Sequence, residues 1–288
     1  MMLNLNKSEN TISIDKISRD IKIILITQNS LRHKNFVLRM FEEFPQEISK
    51  VLIYSAPIKA KKNTSLKSKL KLYLKKIYFF KESIANKKFR NDFISSEKRI
   101  FFEVEKKFDL VNPDTIEFDS KQKLHEIISN MDVDILLSLG GPLIPKDTLK
   151  LINCISVNQH AGISPHYKGN YTTFWPLFHR ELNKIGSTVH ITSSGADSGS
   201  ILKVCKTTID ETDTPCSIFH KTVSLGTETM ISIIKELLNG SKIKFYDQDQ
   251  LYGKTYLSKE FTDYHKKLIY DDWSKNWYKK ELSNMKSF

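Results

Sequence analysis

Cysteine is scarce. The chain has three, Cys154, Cys205 and Cys216. The number is odd and the spacings match no metal pattern, so they read as small apolar residues packed in a reducing cytoplasm. A cytoplasmic location is therefore expected. No apolar run approaches the ~18 residues a membrane-spanning helix needs. The opening segment MMLNLNKSENTISIDKISRD is polar and lacks the apolar centre of a secretion signal. Neither GxGxxG nor GxxxxGK[ST] occurs, so neither phosphate-loop fingerprint points to a dinucleotide or a nucleoside triphosphate. No aromatic-strand RNA signature, internal repeat or low-complexity linker is present.

What is present is an ordinary globular composition. Of 288 residues, 40% are apolar and 27% charged. That length suits one large α/β domain, or one domain with a small appendage. The formal net charge of +12 reads in two ways. It marks a polyanionic or phosphorylated partner, or it reflects a lysine-rich composition with solvated faces. Nucleic acid remains a weaker expectation than a small molecule.

Along the chain, IKIILIT (21–27) is a β-branched apolar run that suits a buried parallel strand. Residues 31–43 carry apolar side chains near the helical period at Phe36, Val37, Met40 and Phe41. Ser30 stands where a helix cap is expected. KVLIY (50–54) reads as the next strand, so the chain opens as a βαβ unit. Arg32 and His33 fall near a helix N-terminus at a strand's carboxyl end, where open α/β sheets collect anions. They are candidates for binding substrate, against the alternative of a solvated arginine and a packed histidine.

Residues 58–108 are lysine-dense, with Tyr78, Phe79, Phe80, Phe101 and Phe102 spaced among the charges. They predict a basic helical insert of one or two amphipathic helices. Such a stretch either meets a membrane surface, nucleic acid or a partner, or is a helix with a solvated basic face. A helix over 122–130 and a strand over 132–137 follow. Two glycines and a proline come next, at Gly140, Gly141 and Pro142, where the backbone can approach a flat ligand closely. A helix at 146–152 leads to a strand at 154–157, with Asn158 and His160 just past its carboxyl end. Further expectations are a helix over 172–182, strands over 186–192 and 200–209, and a helix opened by Asp213-Thr214-Pro215 and ended by Gly240. A strand at 242–246 and a helical stretch over 258–282 close the chain. The boundary expected from this is a catalytic domain over 1–240 and an extension over 241–288. The extension's Trp273 and Trp277 suit a homodimer interface or the core.

Asn158, His160 and Asp197 can together serve acyl transfer to an amine. Negative charge develops on the carbonyl oxygen, and an asparagine amide can donate to it. The attacking nitrogen must lose a proton, and a histidine titrates in the right range to relay it. A carboxylate can orient that imidazole. Asn158 and His160 alternate on an extended segment, so both point to one side. By spacing alone the pattern also suits a packed histidine and a turn asparagine. Metal binding by His160, His166, His179 or His190 matches no zinc spacing, so no metal is expected.

Four motifs in order, LLSLGGPLIP, SVNQHAGISPHYKG, FWPL and STVHITSSGADSG, resemble the 10-formyltetrahydrofolate-dependent formyltransferase family. Sugar N-formyltransferases and the catalytic domain of methionyl-tRNA formyltransferase are similar. The resemblance covers 134–204 and implies a Rossmann-like, mostly parallel α/β sheet flanked by helices. It implies that Asn158, His160 and Asp197 are catalytic. It also implies 10-formyltetrahydrofolate as co-substrate, with Leu139, Gly140, Gly141, Pro142 and Leu143 walling its pteridine ring. Tyr167, Lys168 and Trp175 fall in the same motifs and are expected near substrate. Lys168 replaces the family's usual arginine, which removes a bidentate anion contact. Ser198 stands where threonine or glycine is common. The tail is expected to be too short for the complete β-barrel of methionyl-tRNA formyltransferases, so the expected acceptor is a primary amine on a nucleotide-linked sugar. Other amines, aminoacyl-tRNA, hydrolysis of the folate, and a folate- or nucleotide-binding relative without turnover are the alternatives.

Overall fold

A computed structural model describes residues 3–6, 9–14, 20–56, 80–248 and 252–286. Its centre is a mostly parallel sheet of seven strands among the described residues. In chain order these are β3 (Ile23–Thr27), β4 (Ile48–Tyr54), β5 (Thr115–Phe118), β6 (Ile135–Leu139), β7 (Ile155–His160), β9 (Gly186–Ile191) and β10 (Ile201–Lys206). Their spatial order is β10-β9-β7-β6-β3-β4-β5. The strands from β7 to β5 run parallel, while β9 and β10 are antiparallel. The β-branched run beginning at Ile23 becomes the buried centre because both faces are covered.

Helices cover the two faces. On one side lie α1 (Leu31–Glu43) and the long helix α7 (Pro215–Leu238), packed on Ile23, Leu25, Leu137 and Val157. On the other lie α4 (Lys121–Ser129) and the short α5 (Lys146–Leu149), over Ile24, Ile26 and Leu136. Alternate residues of one strand therefore serve opposite faces. The expected Thr214-Pro215 start is present: the Thr214 hydroxyl accepts from Ser217 N–H and completes a capping box. Gly240 follows the helix at φ 78°. Ser30 differs from expectation. It occupies the cap position of α1, but its carbonyl does the accepting while its hydroxyl is buried without a partner.

Residues 58–79 of the expected insert lie outside the described residues, Tyr78 and Phe79 included. The rest forms α2 (Phe80–Ile100) and α3 (Val104–Val111). Phe101 is buried and Phe102 is exposed. Helix α2 packs against α7 through Phe89, which shares a core with Phe174, Trp175 and Cys216. The C-terminal stretch contains α8 (Asp263–Ser274) and α9 (Trp277–Lys286), separated at Asn276, where φ is 57°. That break divides the single expected helical stretch in two. Phe261, Ile269, Tyr270, Trp273 and Tyr278 join the same core as Phe89, so the segment after 240 is packed into the fold.

Among the described residues, five strands lie outside the main sheet. β1 (Leu3–Asn6), β2 (Thr11–Ile14) and β11 (Ile243–Lys244) make a small antiparallel sheet. β8 (Tyr167–Gly169) pairs in parallel with β12 (Lys254–Tyr256). A sixth helix in chain order, α6 (Phe174–His179), follows β8. Among the described residues no helix is long and apolar enough to cross a membrane. The three cysteines are free.

Candidate active site

The carboxyl ends of β3, β6 and β7 open into a cavity of about 490 Å3. Open parallel sheets place their chemistry at this end. Asn158 and His160 lie inside β7 rather than beyond it. Their backbone pairs with β9, Asn158 opposite His190 and His160 opposite Thr188. That antiparallel partner extends the strand past the apolar run at 154–157. Because Val157 and Gln159 face α7, Asn158 and His160 face the other side together.

Asn158 is held from two directions. Its Oδ1 accepts from the Ser138 hydroxyl at 2.9 Å. Its Nδ2 lies 3.1 Å from His190 Nε2. His190 Nδ1 faces the Ile191 carbonyl at 2.9 Å and must be the N–H there. In the neutral ring Nε2 is then the acceptor, and the asparagine amide donates to it. The amide's second N–H has no protein partner among the described residues, and Asn158 lines the cavity.

Asp197 arrives from the β9–β10 turn, in the left-handed region at φ 47°, a conformation aspartate tolerates better than most residues. Its Oδ2 accepts the Gly169 N–H at 2.8 Å and lies 3.3 Å from His160 Nδ1. Its Oδ1 lies 3.5 Å from His190 Nε2. Burial alone would raise its pKa. His160 and His190 in their protonated forms, with the Gly169 N–H, outweigh burial and hold the carboxyl down at about 2. It is ionised at neutral pH. The turn is fixed from behind by Gln248, whose amide donates to the carbonyls of Asp197 and Gly199.

His160 is buried. Its Nε2 faces the Tyr167 carbonyl at 2.8 Å, where only an N–H can donate. The lone pair of the neutral ring is then on Nδ1, beside the Asp197 carboxylate.

Leu139, Gly140, Gly141, Pro142 and Leu143 all line the cavity. Gly140 has φ 77° and Gly141 φ 96°, which favour glycine. A Cβ at Gly140 would stand 2.8 Å from His33 Cε1. The bare backbone here makes a flat wall flanked by apolar side chains, and a flat heteroaromatic ring such as a pteridine fits it.

Arg32 and His33 line the same cavity. The Thr27 hydroxyl donates to the Leu139 carbonyl at 3.2 Å and lies 2.9 Å from His33 Nδ1. Its single proton is thereby used, so His33 Nδ1 donates to Thr27. Burial first, then Arg32, pull the His33 pKa down to about 3. His33 is therefore neutral, which leaves Arg32 as the cation of this corner. The Arg32 guanidinium pairs with Glu97 of α2 at 2.8 Å and lies over the rings of Phe93 and Phe219.

Tyr167, Lys168 and Trp175 lie outside the cavity lining, and all three are buried. The Tyr167 hydroxyl lies 2.9 Å from His179 Nδ1 and also donates to Glu181. Trp175 stacks on Tyr256 at 4.6 Å. Lys168 sits in β8 opposite Thr255 of β12. Tyr256 and its neighbours Thr255 and Leu257 line the cavity instead. Sequence reasoning missed these, along with Ser138 and His190 as partners of Asn158. Their only signal was the alternation in STVHIT, which puts His190 on the same face as Thr188.

The family described as formyl transferase matches residues 97–234. The match spans the glycine wall, Asn158, His160 and Asp197. GDP-perosamine N-formyltransferase of Brucella melitensis is 30% identical over 122 residues, which are 42% of this chain and 47% of that protein. Methionyl-tRNA formyltransferase of Sulfurimonas denitrificans is 28% identical over 118 residues, 41% of this chain and 38% of that protein. The chain thus spans less than half the length of these curated relatives. The crystal structure of an N-formyltransferase from Helicobacter canadensis, in complex with folinic acid and dTDP-3-aminofucose, matches with a TM-score of 0.52. It is 16% identical, with 84% of this chain and 72% of that chain covered. At that identity the likeness is one of fold: the chain shares the α/β architecture of this neighbour.

Proposed function

We propose that this protein is an N-formyltransferase that moves a formyl group from 10-formyltetrahydrofolate to a primary amine carried on a nucleotide-linked sugar. The observation that carries this reading is the convergence of Asn158, His160 and an ionised Asp197 on one cavity beside a glycine-built wall. The folate supplies the activated formyl group. Leu139 through Leu143 hold its ring against bare backbone.

The free N–H of Asn158 donates to the formyl oxygen as negative charge grows there. The amine nitrogen forms its bond to the formyl carbon and sheds a proton. With Nε2–H committed to the Tyr167 carbonyl, that proton goes to His160 Nδ1, and Asp197 stabilises the resulting imidazolium. The bond from carbon to the folate nitrogen breaks as that nitrogen takes up the proton His160 received, which returns the imidazole to its neutral form. The products are a formamide and tetrahydrofolate, and no serine or cysteine nucleophile is required. Arg32 is the cation available for the anionic part of the acceptor. The amino-sugar substrates in the names of the Brucella and Helicobacter proteins support this choice of acceptor.

The test follows tetrahydrofolate release from 10-formyltetrahydrofolate with a panel of nucleotide-linked amino sugars. Release that depends on one sugar establishes the transferase and names its acceptor. Release without any amine would replace this reading with hydrolysis. No release, despite measured folate binding, would move the acceptor to another amine or to aminoacyl-tRNA.

A further inference from the structure

The loop between β8 and α6 contains a residue the proposed chemistry does not use. Tyr171 adopts φ 58°, the left-handed region, where a bulky aromatic residue is an outlier. The surroundings over-determine that conformation. Its carbonyl accepts from the N–H groups of Phe174 and Trp175 at 2.9 and 3.1 Å. On one side Asn170 N–H donates to the Tyr256 carbonyl at 2.9 Å. On the other, the Thr172 and Thr173 hydroxyls both donate to the Ala161 carbonyl, at 2.9 and 2.7 Å. Ala161 follows His160 in the chain, so the loop is pinned beside the proton-relaying histidine. Strain that is held in place this way marks a functional position more often than a defect.

The held conformation presents a ring. Phe174 and Trp175 in the same segment are 2% and 4% exposed, whereas Tyr171 is 39% exposed and lines the cavity. One face of its ring is stacked on Phe261 at 4.5 Å and 22°. Behind it an aromatic ridge continues through Phe174 and Phe219 to the Arg32 guanidinium. The glycine wall belongs to a different strand end. The cavity therefore has a backbone wall for a flat ring and, elsewhere, an aromatic face linked to a cation.

We infer that Tyr171 is a specificity-determining residue whose ring takes the C–H face of the acceptor's amine-bearing sugar ring. This rests on the proposed function. The electron-rich face of a phenol ring attracts the weakly positive C–H hydrogens of a saturated ring and shields them from water. The place beside His160 selects that ring over the base of the same nucleotide. The amine must reach the catalytic groups, and the base lies beyond the phosphates. Arg32, at the far end of the ridge, then meets the anionic link between them.

The experiment measures initial rates for full-length Tyr171→Ala, Tyr171→Phe and Tyr171→Gly, varying the nucleotide-linked amino sugar and 10-formyltetrahydrofolate separately. Tyr171→Ala is expected to raise KM for the sugar about tenfold, with KM for the folate within about twofold of wild type. Tyr171→Phe, which keeps the ring, restores the sugar KM. Tyr171→Gly relieves the left-handed backbone, so its melting temperature holds or rises while its sugar KM rises as in the alanine variant. A purely structural tyrosine would give the reverse: a lowered melting temperature with both KM values unmoved. An unchanged sugar KM in Tyr171→Ala, or a raised folate KM in its place, overturns the inference while leaving the transferase standing. If wild type transfers formyl to no amino sugar, the proposed function falls and the inference with it.

Discussion

Two neighbouring stretches, 155–160 and 167–175, carry comparable chemistry in sequence and end in opposite surroundings. Asn158 and His160 open into the cavity. Tyr167, Lys168 and Trp175 are turned into packed structure, two of them against Tyr256. The difference lies in what covers each strand. β7 is flanked by β6 and β9 within the sheet, and its carboxyl end stays open. β8 is paired by β12, which arrives from the C-terminal segment and places Tyr256 between the cavity and Trp175. A residue type in a promising motif marks a candidate. Whether a distant segment covers it decides whether it meets substrate.

The largest expected effect on stability comes from the covered side. Trp175→Ala removes a side chain 4% exposed and stacked on Tyr256. It should cost about 3–5 kcal/mol in denaturant unfolding, while formyl transfer per folded molecule persists. A stable Trp175→Ala protein that has lost its turnover would reverse the assignment and return Trp175 to the substrate site.

Gly140→Ala attacks the open side. The new Cβ would meet His33 at 2.8 Å on a backbone at φ 77°. Stability should fall by roughly 1–3 kcal/mol, together with folate affinity measured by titration. Wild-type melting and wild-type folate binding would remove the glycine wall from the site.

Acid separates the two regions a third way. Asp197 is held at about 2, below its ordinary 3.8. A depressed carboxylate contributes stability that is present above its unfolded value and lost as pH falls through its folded value. The unfolding free energy of wild type should therefore drop between pH ~4 and ~2 by about 2 kcal/mol more than that of Asp197→Asn. Parallel acid profiles would mean that His160 and His190 do not hold this carboxylate. The smallest effect belongs to Ser30→Ala. Its hydroxyl is buried without a partner, so unfolding free energy should stay within about 0.5 kcal/mol of wild type. A loss near 1 kcal/mol would restore the expected cap.

Much of the sheet was legible because it rests on local pattern. The run from Ile23, the helical spacing of Phe36, Val37 and Met40, and the Thr214-Pro215 cap each reflect forces acting within a few residues. Asn158 and His160 were legible as a pair because alternation on a strand is a local rule. Long-range pairing was not. Nothing near Tyr167 signals that Lys254–Tyr256 will lie alongside it. Nothing near Asn158 signals that Ser138 and His190 will hold its amide. The edge of β7 was misjudged for the same reason, since its last residues depend on β9 for hydrogen bonds. His33 looked like an anion contact from its place near a helix start. Its burial and its bond to Thr27 make it a neutral floor residue instead.

The most direct test of the catalytic assignment is single-turnover formyl transfer in His160→Asn and Asp197→Asn, run beside wild type with melting curves on the same preparations. Removal of a positioned proton relay should lower the rate by about 10²–10⁴-fold while the fold persists. Near-normal transfer in both variants at matched stability would contradict the account and send the proton elsewhere in the cavity.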